Sequence, residues 1–408
     1  MTSTELVLTR LRRCLALALF ALTVSSWPLW TGAGDFPQIP WAGALAQTPE
    51  AVDALLLTTL LLGSAAALFG PGTSRWTSRT ATVQLLALAG LVALDQHRLQ
   101  PWSYEFLLAL SVMACGVERT GVTCLRGIVV SIYFWSGVSK VDPGFIDGHG
   151  QMLLDGLLRA LHLSDAMWSD SVRQFAAAAM PAAELVIALL LTFARTRSVG
   201  LVASLMLHAT LLLTLGPWGL DHEWGVLLWN LYFIAQNLIL FRPLDTQPAD
   251  IAPKRPIRGR VAIAITSAAV LLPLLNPVGL WDHWPSWSVY SAHPTIVRVF
   301  VRDGDVSRLP ASLRPFVDPP LPLDDWRLVR LDQWSFSERG VPPYPQARWR
   351  IAVAAAIAIR AGLDHQPRVV LLRRKGWWGA AREELQAEGI AAIQTLTQDS
   401  WANTTSYR

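Results

Sequence analysis

Ile128-Val129-Val130-Ser131-Ile132-Tyr133-Phe134-Trp135-Ser136-Gly137-Val138-Ser139-Lys140-Val141-Asp142-Pro143 decides the class of this chain. A long apolar run ends on one lysine, and an Asp-Pro breaker follows at once. An unpaired ammonium in hydrocarbon is costly, so a lysine at the rim of a membrane helix has to reach water or find a partner. Lysine is also the side chain whose pKa falls readily on desolvation, which makes Lys140 a candidate base. One segment therefore carries both the architecture and the sharpest chemical hypothesis.

The composition agrees with a membrane protein. The 408 residues are 52% hydrophobic and 16% charged, against about 25% charged in soluble domains. The 19 tryptophans suit interfacial aromatic belts. A net charge of +4 with scattered basic residues reads as topology signals and gives no nucleic-acid footprint. Cys14, Cys115 and Cys124 lie in or beside apolar runs without CxxC spacing, so they read as structural thiols. Arg10, Arg12 and Arg13 ahead of an apolar run resemble a signal peptide. The run lacks a small-x-small cleavage site before Trp27 and Pro28, so an uncleaved first span is expected.

A span needs about 20 mostly apolar residues. The candidates are Arg13–Trp30, Val52–Phe69, Ala81–Leu94, Tyr104–Gly116, Leu125–Ser139, Ala178–Phe193, Val199–Leu215, Trp224–Phe241 and Val261–Leu280. The third and fourth are short and need tilt or their polar flanks. Every second connection is basic: Arg10, Arg12 and Arg13; Arg75 and Arg79; Arg119 and Arg126; Arg195 and Arg197; then Arg242, Lys254, Arg255, Arg258 and Arg260. The others hold Asp35 and Glu50, Asp95, Asp142 and Asp147, and Asp221 and Glu223. The positive-inside rule then predicts an inner or plasma membrane protein with its N-terminus cytoplasmic and its C-terminal part outside. Lys140 sits at the external end of the fifth span.

The expected fold is thus an all-α polytopic membrane helix bundle over residues 1–281, with about nine spans, followed by a small α+β extramembrane domain over 282–408. Leu153, Leu154, Leu157, Leu158 and Leu161 recur at helical spacing beside Asp155 and Arg159, which predicts an amphipathic surface helix. In the tail, Ile296–Val301, Trp326–Leu331 and Val369–Leu372 read as strands. Gln346–Ala361 reads as a core helix and Ala380–Ala387 as another.

Lys140, Glu184 and His208 are the candidate catalytic residues, with Asp95 near them on the predicted topology. Ionisable groups in spans usually face the bundle interior and mark functional paths. Plainer roles stand beside these. Lys140 can snorkel to the interface. Glu184 can occupy a first helical turn opened by Pro181. His208 can be a packing histidine bonded across helices. Asp95 can cap a turn or pair with Arg98. His149, His162, His222, His283 and His293 are scattered in loops, where surface or interfacial roles are expected. There is no phosphate loop, HExxH or nucleophile elbow, and no histidine set has metal spacing, so no metal is expected.

Tyr133-Phe134-Trp135-Ser136-Gly137-Val138-Ser139-Lys140-Val141-Asp142, continuing to Phe145-Ile146-Asp147-Gly148, resembles the HTTM domain, the membrane domain of vitamin K-dependent gamma-carboxylases. Ala183-Glu184-Leu185, then Arg197-Ser198-Val199-Gly200 and His208, resemble the family's acidic residue, Arg-x-x-Gly turn and span histidine. Leu94-Asp95 to Trp102-Ser103-Tyr104 is a weaker third likeness. DoxX-like and MauE-like redox-associated membrane proteins share a similar Gly-x-x-Lys helix end. The resemblance implies a reduced quinone as cofactor or lipid-soluble ligand, with Lys140 as base and Trp102, Tyr104 and Tyr133 lining its site. The family's histidine ahead of the Ser-Tyr pair is replaced here by Trp102, which speaks against carboxylation itself.

Two functions compete. One is an enzyme, or binder, of a quinone-like molecule at the outer face. The other is a non-catalytic scaffold or accessory subunit of a redox system that presents its C-terminal domain, with Lys140 and Glu184 paired for stability. Transport ranks below both, since Pro181 and Pro273-Leu274-Leu275-Asn276-Pro277 are the only span breaks and lie near span ends. Besides the lipid bilayer, the sequence names no partner.

Overall fold

The computed structural model describes residues 2–32, 34–164, 168–242, 257–320, 322, 324–363, 367–376 and 381–406. Lys254 and Arg255, counted above with a basic connection, and Ala380 lie outside these residues. In chain order the helices are α1 (Ser3–Ser25), α2 (Trp27–Thr31), α3 (Glu50–Phe69), α4 (Ser74–Leu94), α5 (Pro101–Ala114), α6 (Glu118–Lys140), α7 (Gly150–Ala160), α8 (Asp170–Thr192), α9 (Arg197–Leu215), α10 (Trp224–Phe241) and α11 (Ile257–Leu271). Then come β1 (Ile296–Arg302), β2 (Trp326–Val329), α12 (Leu331–Arg339), α13 (Ala347–Arg360), β3 (Arg368–Arg374), β4 (Arg382–Glu388) and α14 (Ile390–Thr395).

Two compact units result. One is Met1–Ser25, Thr58–Leu88 and Pro101–Ala292; the other is Ser26–Leu57, Ala89–Gln100 and His293–Arg408. Among the described residues, seven helices are long and apolar enough to cross a membrane: α3, α4, α6, α8, α9, α10 and the continuous Ile257–Val278. The chain is a multi-pass membrane protein. Two expected spans are not in that set. The run Arg13–Trp30 is broken, because α1 stops at Ser25 and Pro28, in the first turn of α2, has no N–H to continue the ladder. Helix α5 has 14 residues, about 21 Å at 1.5 Å per residue, short of a hydrocarbon core of about 30 Å.

In the first unit, close helix contacts rest on small residues. A Cβ on Gly137 of α6 would lie 2.8 Å from Leu185 Cγ and 3.1 Å from the Pro181 carbonyl of α8. On Gly200 of α9 it would meet the backbone of Leu191 at 2.9 Å. Arg12 of α1 is fully buried, and its two terminal nitrogens are paired while Nε is not. It donates to the carbonyls of Pro71 at 2.8 Å and Gly70 at 3.0 Å, just past the C-terminus of α3, where helix carbonyls lack partners and attract cations. Helix α7 is the amphipathic helix expected from the leucine spacing, with Leu153, Leu154 and Leu158 buried. Asp155 on its other face pairs with Arg173 of α8 at 2.5 Å.

Helix α8 corrects one expectation. It begins at Asp170, capped by Ser169, and runs through Pro181. Glu184 therefore lies well inside the helix, and the first-turn role is ruled out. Ser169 is a better N-cap than Pro181 is a helix start here, since its side chain accepts from the Val172 N–H.

The second unit holds an antiparallel sheet in the order β2-β1-β3-β4. Val297, Val299 and Val301 alternate inward along β1. Helix α13 is a core helix as expected, with Ile351 to Ala358 buried. Residues Arg382–Glu388 form a strand, where a helix was expected from their composition. Their Glu, Leu and Ala content favours helix locally, but β4 pairs along its whole length with β3, Leu385 opposite Leu371. Pairing with a neighbour outweighs propensity. The earlier segments are built into the same core. Phe36 packs on Trp334 at 4.5 Å. Arg339, fully buried, donates to the carbonyls of Pro28 and Phe36 at 3.0 and 2.5 Å. Asn403 latches the unit through bonds to the Pro40 carbonyl at 3.0 Å and from Gln96 at 2.7 Å.

Candidate functional site

Side chains on a helix lean toward its own N-terminus. Lys140, the last residue of α6, therefore folds back along its helix into the bundle, where a snorkelling lysine would extend outward. Its ammonium donates to Ser136 Oγ one turn earlier at 2.5 Å and to both Glu184 oxygens at 2.9 and 3.0 Å. Lys140 is 5% exposed. The contact of Gly137 with Pro181 and Leu185 brings α6 and α8 close enough for this pair to form.

Two turns earlier on α6, Tyr133 belongs to a second network. Asn237 of α10 donates to the Tyr133 hydroxyl at 2.7 Å. That hydroxyl lies 2.6 Å from His208 Nε2. His208 Nδ1 lies 2.8 Å from Asn230 Oδ1, whose amide nitrogen donates to the Val226 carbonyl at 2.8 Å. The pattern fixes the protons. The phenol accepts from Asn237 and donates to Nε2, so Nδ1 carries the imidazole proton and donates to Asn230. His208 is neutral, stacked on Phe233 at 4.5 Å and 12°, with both nitrogens used. Tyr133 and Lys140 are seven residues apart, about 10 Å along the helix at 1.5 Å per residue. The structure thus joins Lys140 with Glu184 and Tyr133 with His208, as two clusters on one helix.

The remaining expected residues lie elsewhere. Trp102 is buried edge-on to Phe106 at 5.8 Å. Tyr104 packs on Trp287 at 5.1 Å. Asp95 belongs to the second unit, where it caps a short 3-10 turn by accepting from His97 N at 3.1 Å and Ile39 N at 3.4 Å. Arg98 pairs with Asp53 at 2.5 Å. Burial pushes Asp95 above, and His97 well below, its ordinary range, the latter to about 3.

Sequence reading missed Glu105. This buried acid on α5 accepts from the Trp229 indole at 2.6 Å and the Gln236 amide at 2.5 Å. It also missed Asn230 and Asn237. Both partners of each set come from α10, at positions 229 and 236 and positions 230 and 237. Polar residues seven apart in an apolar span share a face, and that spacing was the available signal. Among the described residues no three His, Cys, Asp or Glu side chains converge as a metal site.

Fold and polar interior define an integral membrane helix bundle with an attached α+β unit. Residues 118–218, from the start of α6 to just past α9, match the model of the family described as methylamine utilisation protein MauE. Lys140, Glu184, Tyr133 and His208 all fall inside that match. No curated protein and no solved structure matches the chain.

Proposed function

We propose that the chain is a non-catalytic membrane scaffold or accessory subunit of a redox system, in which residues 118–218 fix the bundle and the C-terminal domain is presented outside. The observation that carries this is the set of partners around Lys140. A lysine acting as base must turn its nitrogen toward a substrate, and the Lys140 nitrogen is instead engaged by three side-chain oxygens of α6 and α8. The Lys140–Glu184 pair ties α6 to α8. The family description, methylamine utilisation, supplies a setting in which an accessory role fits. The topology, N-terminus cytoplasmic and tail outside, is supported by the gathering of residues 26–57, 89–100 and 293–408 into one unit. The charge pattern assigns all three to one face.

The test is thermal unfolding in detergent beside quinone binding, with wild type and Lys140→Met. The scaffold reading expects a lowered Tm and unchanged binding of an added short-chain quinone. Lost binding or turnover at an unchanged Tm would overturn it.

A second reading is favoured by the Tyr133–His208 network two turns from Lys140. On it, Lys140 and Glu184 act on a quinone-like molecule as the HTTM likeness implies. It expects Lys140→Ala to abolish turnover with the fold intact.

A further inference from the structure

The segment that carries the Asn403 latch also forms one wall of a cavity. Between α13, α14 and residues 404–406 lies an open space of about 240 Å³. Its floor is one face of α13. Ala352, Ala355 and Ala356 recur at i, i+3 and i+4, so their methyl groups share that face. Side chains larger than alanine would fill the space. Ile359, 55% exposed, carries the apolar surface on toward the mouth.

The mouth is polar and holds one charge. Arg360 lines it, with Gln394 of α14 and Ser406. Two bonds orient the guanidinium: Nη1 donates to the Asp35 carbonyl at 2.9 Å and Nη2 to Ser406 Oγ at 3.3 Å. A guanidinium has five N–H donors, so three remain for a ligand. The Gln394 amide has no partner among the described residues.

The walls are fixed by bonds that do not involve the cavity. Asn403 donates from Nδ2 to the Thr405 carbonyl at 2.8 Å and accepts from Thr405 Oγ1 at 2.7 Å. Ile393, fully buried, seats α14 beside α13. A site already ordered in this way costs a ligand little on binding.

Size and charge narrow the ligand. The volume is that of about eight liquid waters. It lies below the roughly 300–1,000 Å³ of sites for drug-sized molecules, too small to enclose a nucleotide or a diacyl lipid. One guanidinium matches one negative charge. The exposed Asp35 carboxylate, within Coulomb range of Arg360, opposes a second. A planar carboxylate suits the fork of N–H donors.

We propose that this cavity binds a monocarboxylic acid with a short aliphatic chain. The carboxylate sits on Arg360, and the chain lies along the alanine floor and Ile359. The site belongs to the second unit and uses neither Lys140 nor Glu184, so it stands apart from the scaffold reading.

Equilibrium dialysis of the full chain in detergent against carbon-14-labelled hexanoate, with empty micelles as blank, tests it. Wild type is expected to bind saturably, one hexanoate per chain. Arg360→Gln removes the charge, Ala356→Leu fills the floor, and Ile359→Asp sets a carboxylate on the exposed wall. Each is expected to bind at least tenfold more weakly. Hexanamide, of the same shape without the charge, is expected to compete at least tenfold less well than unlabelled hexanoate. Absence of saturable binding above the blank overturns the proposal. So does full binding by Ile359→Asp, an exposed substitution that decides alone if the other two variants do not fold. Equal competition by hexanamide overturns it as well, because the guanidinium would then play no part.

Discussion

Two buried histidines, His208 in the membrane unit and His97 in the other, are held by different means. His208 ties α6, α9 and α10 together through Tyr133, Asn230 and Asn237. His97 is walled by Phe36 and Trp349, with ring centroids at 5.5 and 4.8 Å. Its Nε2 faces the Pro342 carbonyl at 3.0 Å, while Nδ1 has no partner. The difference teaches which property is at stake. A histidine embedded in a polar network cannot be removed without orphaning its neighbours. A histidine enclosed by rings is retained mainly by shape.

The ion pair beside the His208 network gives the sharpest test. Glu184→Leu leaves the Lys140 ammonium buried without its carboxylate, and is expected to cost about 3–5 kcal/mol by denaturant unfolding in detergent. Lys140→Met/Glu184→Leu should recover most of that loss, because no charge remains uncompensated. A double variant as unstable as the single one would show that the pair does more than neutralise itself.

His208→Leu strands the Tyr133 hydroxyl and the Asn230 amide, at about 1–3 kcal/mol for each orphaned group. His97→Phe should cost less than His208→Leu, since it keeps the ring contacts and removes the orphaned Nδ1 along with the Nε2 contacts to the Pro342 carbonyl and Ser335 Oγ. Equal losses would erase the distinction between network and shape.

The smallest effect is in pH. His97 sits at about 3 when folded, below the ordinary value of about 6.5. As pH falls the unfolded chain binds the proton first. Its contribution is therefore complete above about pH 6.5 and is lost as pH drops toward 3, at no more than about 1.4 kcal/mol per pH unit. His97→Phe should flatten that part of the wild-type profile. A variant with the same slope as wild type would remove His97 from the account.

Much of this was legible in the sequence where one physical rule dominates. Apolar length marked α3, α6, α8, α9 and α10, and leucine spacing marked α7. What stayed hidden depends on partners distant in the chain. Glu105 looks like any acid near a helix start until Trp229 and Gln236 surround it. Strand β4 reads as helix until β3 lies beside it. Ala352, Ala355 and Ala356 read only as core until α14 and residues 404–406 leave a cavity against them.

The Asn403 latch has a consequence for biosynthesis. Its side chain bonds the carbonyl of Pro40, 363 residues earlier. Trp30 and Phe36 thus leave the ribosome long before the α12 and α13 side chains that pack on their segments exist. During translation these residues need a chaperone or the lipid surface as temporary cover. A premature stop ahead of Asn403 would release a product whose helices can insert but whose aromatic segments stay open to quality-control proteases.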